Sequence, residues 1–127
     1  MANKGKVKVT ADGVEGFFRR AKAEAKKLDR GDAIEAGIVV NFAKAEDMAQ
    51  CLSAERLRLL REVKSKGSTA VGDLAARLKR NRRAVDRDLG LLEGAGLLRV
   101  SYQSNPGHGR LKFVSPVARQ YTLTATV

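Results

Sequence analysis

Five of the nine residues from Lys79 to Arg87 are cationic: Lys79, Arg80, Arg82, Arg83 and Arg87. A guanidinium is a planar fork of donors that fits paired acceptors, whether a carboxylate, a phosphate or the edge of a purine. Little else in the chain could do chemistry. Cys51 is the only cysteine and His108 the only histidine, so no internal disulfide can form and a zinc site lacks ligands. No nucleophile lies beside a base, and neither a carboxylate cluster nor a glycine-rich phosphate cradle is present. The expectation is a protein that is not an enzyme and needs no metal or cofactor. Cys51, among Met48, Ala49 and Leu52, reads as a small buried hydrophobe.

The net charge of +11 is unevenly spread, with +2 over residues 1–51 and +9 over residues 52–127. A field of that size attracts a polyanion at long range without choosing a sequence. Aromatic content is 5%, which leaves few platforms for stacking single-stranded bases and favours double-stranded DNA over RNA as the partner. Apolar runs are short and the first residues lead into no apolar segment, so neither a membrane span nor a secretory signal is expected, and the location expected is cytoplasmic.

The elements that must position these cations follow from periodicity. Val7 and Val9 alternate with lysines as a short strand. Asp12 with Glu15 three residues on predicts a capping box, and Val14, Phe17, Phe18, Ala21, Ala25 and Leu28 then form one arc of an amphipathic helix of about four turns. Ile38, Val40 and Phe42 predict a strand, giving β-α-β over residues 1–51, with a short helix at Glu46–Leu52. Ser53 is an N-cap, with Leu52 and Leu57 at hydrophobic-staple spacing. The helix it opens closes at Lys66-Gly67. A second helix starts at Thr69 or Ala70 and buries Val71, Leu74 and Leu78. After a tight connection at Lys79–Asn81, a third carries Val85, Leu89 and Leu92 and ends at Gly94-Ala-Gly96. Strands at Leu97–Tyr102 and Arg110–Val114 flank a turn-rich Ser104–Gly109, and Tyr121 to Val127 alternates as a last strand able to pair with the first ones.

Three helices, the second short, followed by a β-hairpin make a winged helix-turn-helix. The fold expected is α+β: a winged helix-turn-helix over residues 52–115, an N-terminal β-α-β extension, and a C-terminal strand in 116–127 that packs on the extension. The stretches Val71-Gly-Asp-Leu-Ala-Ala-Arg-Leu78, Arg83-Ala-Val-Asp-Arg-Asp-Leu89 and Leu92-Glu-Gly-Ala-Gly-Leu-Leu98 resemble prokaryotic winged-helix transcriptional regulators of the broad MarR-like group, over roughly residues 53–115. The resemblance implies that Ala75 lets the third helix pack closely and that Gly96 precedes the wing. More faintly, from Phe17-Phe18 through Lys27-Leu-Asp-Arg30 to the last strand, the chain resembles predicted regulators of antitoxin type.

With Val85, Leu89 and Leu92 inward, Arg83, Arg87, Gly90 and Gly94 face outward. Arg83 and Arg87 are therefore the expected base readers, since one guanidinium can bond both acceptors of a guanine edge. Asn81 and Arg82 could read an edge or hold a phosphate. Asp86 would be repelled by phosphate unless it pairs with Arg82 or Arg83, or accepts from a cytosine amino group. Lys64, Lys66, Ser68, Thr69, Lys79 and Arg80 are candidate phosphate contacts. In the wing, His108, Arg110 and Lys112 could reach the minor groove, although exposed loops often hold polar residues for solubility alone.

The apolar arc of the first helix could be a core stripe, a dimer seam or a face for another protein, and dimerisation is favoured because two-fold dimers read two half-sites. The function expected is a dimeric, sequence-specific DNA-binding regulator, most simply a repressor. One alternative is an antitoxin that also binds a cognate toxin and represses its own operon. Another is a winged-helix interaction module without specific DNA binding.

Overall fold

The computed structural model describes residues 5–33 and 37–127. Met1–Lys4, which open the expected extension, lie outside the described residues. Helix α3 (Ala54–Lys66) begins at Ser53, whose Oγ accepts from the Arg56 amide at 3.3 Å, and stops at Gly67, whose φ of 78° suits only glycine comfortably. The next element is not yet a helix. Thr69 and Ala70, expected to start one, form β3 (Thr69–Ala70), pairing with Val114 and Phe113. Helix α4 (Val71–Leu78) follows directly, without a side-chain cap at Ala70.

Lys79 adopts a left-handed conformation, with φ 55°, and reverses the chain into α5 (Arg82–Gly94). Asn81 caps α5 by accepting from the Arg83 amide at 2.7 Å. Val85, Leu89 and Leu92 are fully buried, as their spacing predicts. A long hairpin comes next, β4 (Leu98–Asn105) with β5 (Gly109–Pro116), antiparallel from Leu98↔Pro116 to Asn105↔Gly109. Its strands run further than Leu97–Tyr102 and Arg110–Val114, and the irregular tip shrinks to Pro106–His108. The polar residues there alternate on exposed ladder positions, where polarity does not distinguish strand from loop. Gly96, with φ 84°, makes the turn from α5 into β4.

The N-terminal third forms a second, parallel sheet. Strand β1 (Lys6–Thr10) lies between β2 (Ile38–Asn41) and the C-terminal β6 (Gln120–Leu123), parallel to both. Helix α1 (Gly13–Asp29) is the crossover between β1 and β2, and α2 (Ala45–Cys51) leads into α3. Strand β6 is shorter than the Tyr121–Val127 alternation predicts, its pairing with β1 closing at Leu123. Val7 and Val9 are buried in one continuous core with Leu59, Val63, Leu74, Leu89 and Leu97. Tyr121 stitches the sheet to the hairpin base, its hydroxyl donating to the Leu97 carbonyl at 2.7 Å and accepting from the Val117 amide at 3.0 Å. Burial pushes its phenol pKa up. Cys51 is half-buried against the same core, and burial raises its thiol pKa as well.

The capping box at Asp12 and Glu15 does not form. The Asp12 carboxylate is taken by Arg20 at 2.8 Å and Arg19 at 3.1 Å, and makes no cap bond. It lies over Gly16, where any Cβ would collide with it. Asn41 of β2 holds the start of α1 instead. Its Oδ1 accepts from Thr10 Oγ1 and the Asp12 amide, and its Nδ2 donates to the Gly13 carbonyl at 2.8 Å.

Candidate nucleic-acid interface

The outward face of α5 carries Arg83, Arg87, Gly90 and Gly94, all exposed. Neither the Arg83 nor the Arg87 side chain bonds any other group among the described residues. A Cβ at Gly90 or Gly94 would meet nothing within 4 Å, so the backbone itself is open on that side. The helix therefore presents two unpaired guanidinium groups about one turn apart above a bare surface.

The other cations near α5 are held by acids. Arg80 is not the free phosphate contact expected of it. It bonds Asp88 at 2.8 Å and Glu55 at 3.2 Å, and its side chain is only 17% exposed. Asp88 also accepts from Arg56 Nε at 3.0 Å, and Arg56 Nη1 donates to the Gln50 and Cys51 carbonyls. One buried carboxylate thus ties α3, the α4–α5 turn and α5 together, and through Arg56 the end of α2. The sequence reading passed over Asp88 and Arg56. The signal for Asp88 was its place three residues after Val85 and four before Leu92, inside the apolar stripe, where an acid requires a partner.

Asp86 takes the first of its expected uses and adds an unforeseen one. It accepts from Arg82 Nε at 3.2 Å and from Lys112 Nζ at 3.1 Å. Reading a cytosine would cost both ion pairs, so its place is to position the two cations. Lys112 is accordingly a tether between hairpin and helix rather than a free arm. The Asn81 side-chain oxygen is engaged by the cap, and its amide nitrogen is left as a donor that can bond outward. Thr69 is buried in β3, and its hydroxyl accepts from Arg77 at 3.3 Å, which removes it from the phosphate candidates. Lys64, Lys66, Ser68 and Lys79 are exposed, and their side chains are unpaired among the described residues.

Register decides where the hairpin aims. Val100 faces Val114 and Tyr102 faces Lys112, with Arg110 one ladder step further, so these alternate residues share one face. At its base that face is core, since Val114 is fully buried. Further out it reaches α5 through Lys112, and towards the tip it carries Arg110, whose guanidinium stacks 4.5 Å over the Tyr102 ring. Arg110 thus projects from the side of the hairpin that adjoins α5, with His108 exposed in the tip beyond it. Tyr102 was also missed, because only the diagonal pairing across the hairpin brings it to Arg110. No group of three or more metal-ligating side chains occurs among the described residues, and no helix among them is long and apolar enough to cross a membrane.

Residues 51–113 match the protein family HVO_A0114. No curated protein matches the chain. Among solved structures, a possible transcriptional regulator from Methanosarcina mazei Go1 superposes with a TM-score of 0.48 and 22% sequence identity, over 57% of this chain and 65% of its own. The chain thus spans a little under two thirds of that neighbour's length.

Proposed function

We propose that the protein is a transcriptional regulator that binds double-stranded DNA as a two-fold dimer, with residues 52–115 acting as a winged helix-turn-helix of MarR-like type. Helix α5 enters the major groove and the hairpin is the wing. The observation that carries the reading is the division of labour among the cations. Arg80, Arg82 and Lys112 are bound by acids of the protein, whereas Arg83 and Arg87 point outward unpaired from the helix that such a motif lays in the groove. An α-helix fits the major groove, and there an arginine distinguishes guanine by bonding O6 and N7 together. Arg110, stacked on Tyr102, is the arm for the adjacent minor groove, and Lys64, Lys66, Ser68 and Lys79 hold phosphates and fix register. Occupancy of a promoter is enough to block it, so repression is the simplest consequence.

The test is selection of bound duplexes from a random pool at roughly 150 mM salt, where the sequence-independent term is reduced. The reading expects an inverted repeat with guanines in each half-site and half-site centres about 10 base pairs, or a multiple, apart. Binding without any motif that disappears with added salt would overturn it in favour of a non-specific basic surface.

A further inference from the structure

Among the described residues, most of the apolar stripe of α1 is left uncovered. Val14, Phe18, Ala21, Ala25 and Leu28 are spaced four, three, four and three residues apart, the repeat that keeps a seam between two helices. Yet Val14 is 69%, Phe18 62% and Leu28 62% exposed, and Gly16 is the only buried residue of the helix. A different side faces the parallel sheet. A cavity of about 370 Å³ lies between α1 and the strands β1 and β2; on the helix it is lined by Arg20, Ala23, Glu24 and Lys27, with Phe17 and Ala21 from the apolar arc, and it faces Ile38 and Val39 as well as the β1 lysines. At 3.6 residues per turn, the side marked by Gly16, Arg20, Glu24 and Lys27 is centred roughly a third of a turn from the stripe. A helix that served only to cover its own sheet would be rotated by that third of a turn, bringing Phe18 toward the sheet and releasing Glu24 to water.

We infer that α1 pairs antiparallel with α1 of a second copy of this chain, an inference that rests on the dimeric reading above and gives that dimer its seam. From Val14 to Ala25 the stripe is self-complementary in one direction only, and Leu28 lies beyond the overlap. Its large residues Val14 and Phe18 precede two alanines, Ala21 and Ala25. In a parallel pair each residue meets its own copy, so phenylalanines crowd while alanines leave gaps. Such a pair also aligns Glu24 with the partner subunit's Asp29, a repulsive flank. Antiparallel, Phe18 lies over the partner subunit's Ala21 and Val14 over the partner subunit's Ala25, each contact occurring twice by symmetry. The same register sets Glu15 beside the partner subunit's Lys22. A helix of 17 residues is ~26 Å long, which makes a small interface and predicts association at around micromolar concentration. Two half-sites on one duplex then strengthen it by holding the copies together.

Single cysteines in the full-length chain decide the matter, with Cys51→Ala as background and no DNA present. Ala21→Cys lies close to the two-fold axis and is expected to give a covalent dimer on mild oxidation. Val14→Cys and Leu28→Cys are expected to stay uncrosslinked, because each lies roughly 16 to 25 Å along the axis from its own copy. Equal crosslinking at all three positions would mean a parallel pair and overturn the inference. So would a dimer in sedimentation that none of the three crosslinks, or a monomer at every concentration. A second variant, Phe18→Asp, is expected to be monomeric with an unchanged melting temperature at low concentration. A variant that stays dimeric overturns the seam. Failure here leaves the duplex selection intact, and failure of the selection leaves the crosslinking intact, so the two readings fall separately.

Discussion

Helices α1 and α5 are alike on paper and opposite in place. Both are amphipathic, rich in arginine or lysine, and carry an apolar stripe at three- and four-residue spacing. In α5 the stripe is fully buried at Val85, Leu89 and Leu92 and the arginines face outward, whereas in α1 the stripe is exposed and Arg20 turns to the sheet beside Asp12. Periodicity establishes that a stripe exists; what covers it depends on which residues elsewhere can reach it. For α5 these are α3, α4 and the base of the hairpin. For α1 the nearest surface is shared between Lys6 and Lys8 of β1 and Ile38 and Val39 of β2, and of the apolar arc only Phe17 and Ala21 reach it.

The contrast is sharpest in stability. Leu89→Ala should cost about 2–5 kcal/mol, because it empties a fully enclosed site, and Phe18→Ala should change the unfolding free energy of the dilute protein by no more than about 0.5 kcal/mol. Urea denaturation at low protein concentration measures both, and comparable losses would mean that the α1 stripe is buried after all. Next in size is the carboxylate that organises α5 from within. Asp88→Asn keeps the shape and removes the charge facing Arg56 and Arg80. With those arginines 21% and 17% exposed, some of the cost of breaking a buried pair is relieved by water, and a loss of about 2–3 kcal/mol is expected in the same assay. A neutral result would show that the triad is dispensable.

How much of this was legible in the sequence follows the same division. Helix α5, its inward residues and the exposure of Arg83 and Arg87 could be read because a single local period fixes all of them. The order of elements and the pairing of the last strand with the first were legible from alternation and turn residues. Pairings across long sequence separations were not. Lys112 reaches Asp86 over 26 residues and Arg56 reaches Asp88 over 32, and nothing local distinguishes a tethered cation from a free one. Thr69 was misread for a related reason. A two-residue strand takes its definition from its partner at Val114, not from its own sequence. The capping box failed because two arginines further along α1 compete for Asp12, and a charged fork outbids a backbone amide for a carboxylate.

The proposed function assigns base reading to the outward face of α5 and phosphate holding to the turn before it, and the two roles can be separated. Arg87→Ala should lose roughly 1–3 kcal/mol of discrimination at one position of the selected half-site, with little change on unrelated duplexes. Lys79→Ala should weaken all duplexes alike and reduce the slope of log affinity against log salt by about one unit. Competition binding at several salt concentrations measures both, and an equal loss on every sequence for the two variants would refute the assignment of roles.

The smallest effect is expected where α1 begins. Arg20, bonding the Asp12 carboxylate, holds its pKa below the usual value, with a further lowering from the charge of Arg19. A carboxyl whose folded pKa is depressed contributes stability that is present above the unfolded pKa and fades as pH falls through the folded one. Acidification should therefore loosen the first turns of α1 before it touches α5, whose start is capped by the neutral Asn81. Because Asp12 and Arg20 are both partly exposed, water screens the pair and global stability should hardly move. The change belongs in amide protection at residues 16–20, which, corrected for the intrinsic exchange rate at each pH, should fall in the native protein once the pH is below the ordinary carboxylate range. In Asp12→Asn protection should already be low at neutral pH and no longer respond to acid. If acid opened the start of α5 as readily as that of α1, the difference between the two helix starts would lie elsewhere than in Asp12.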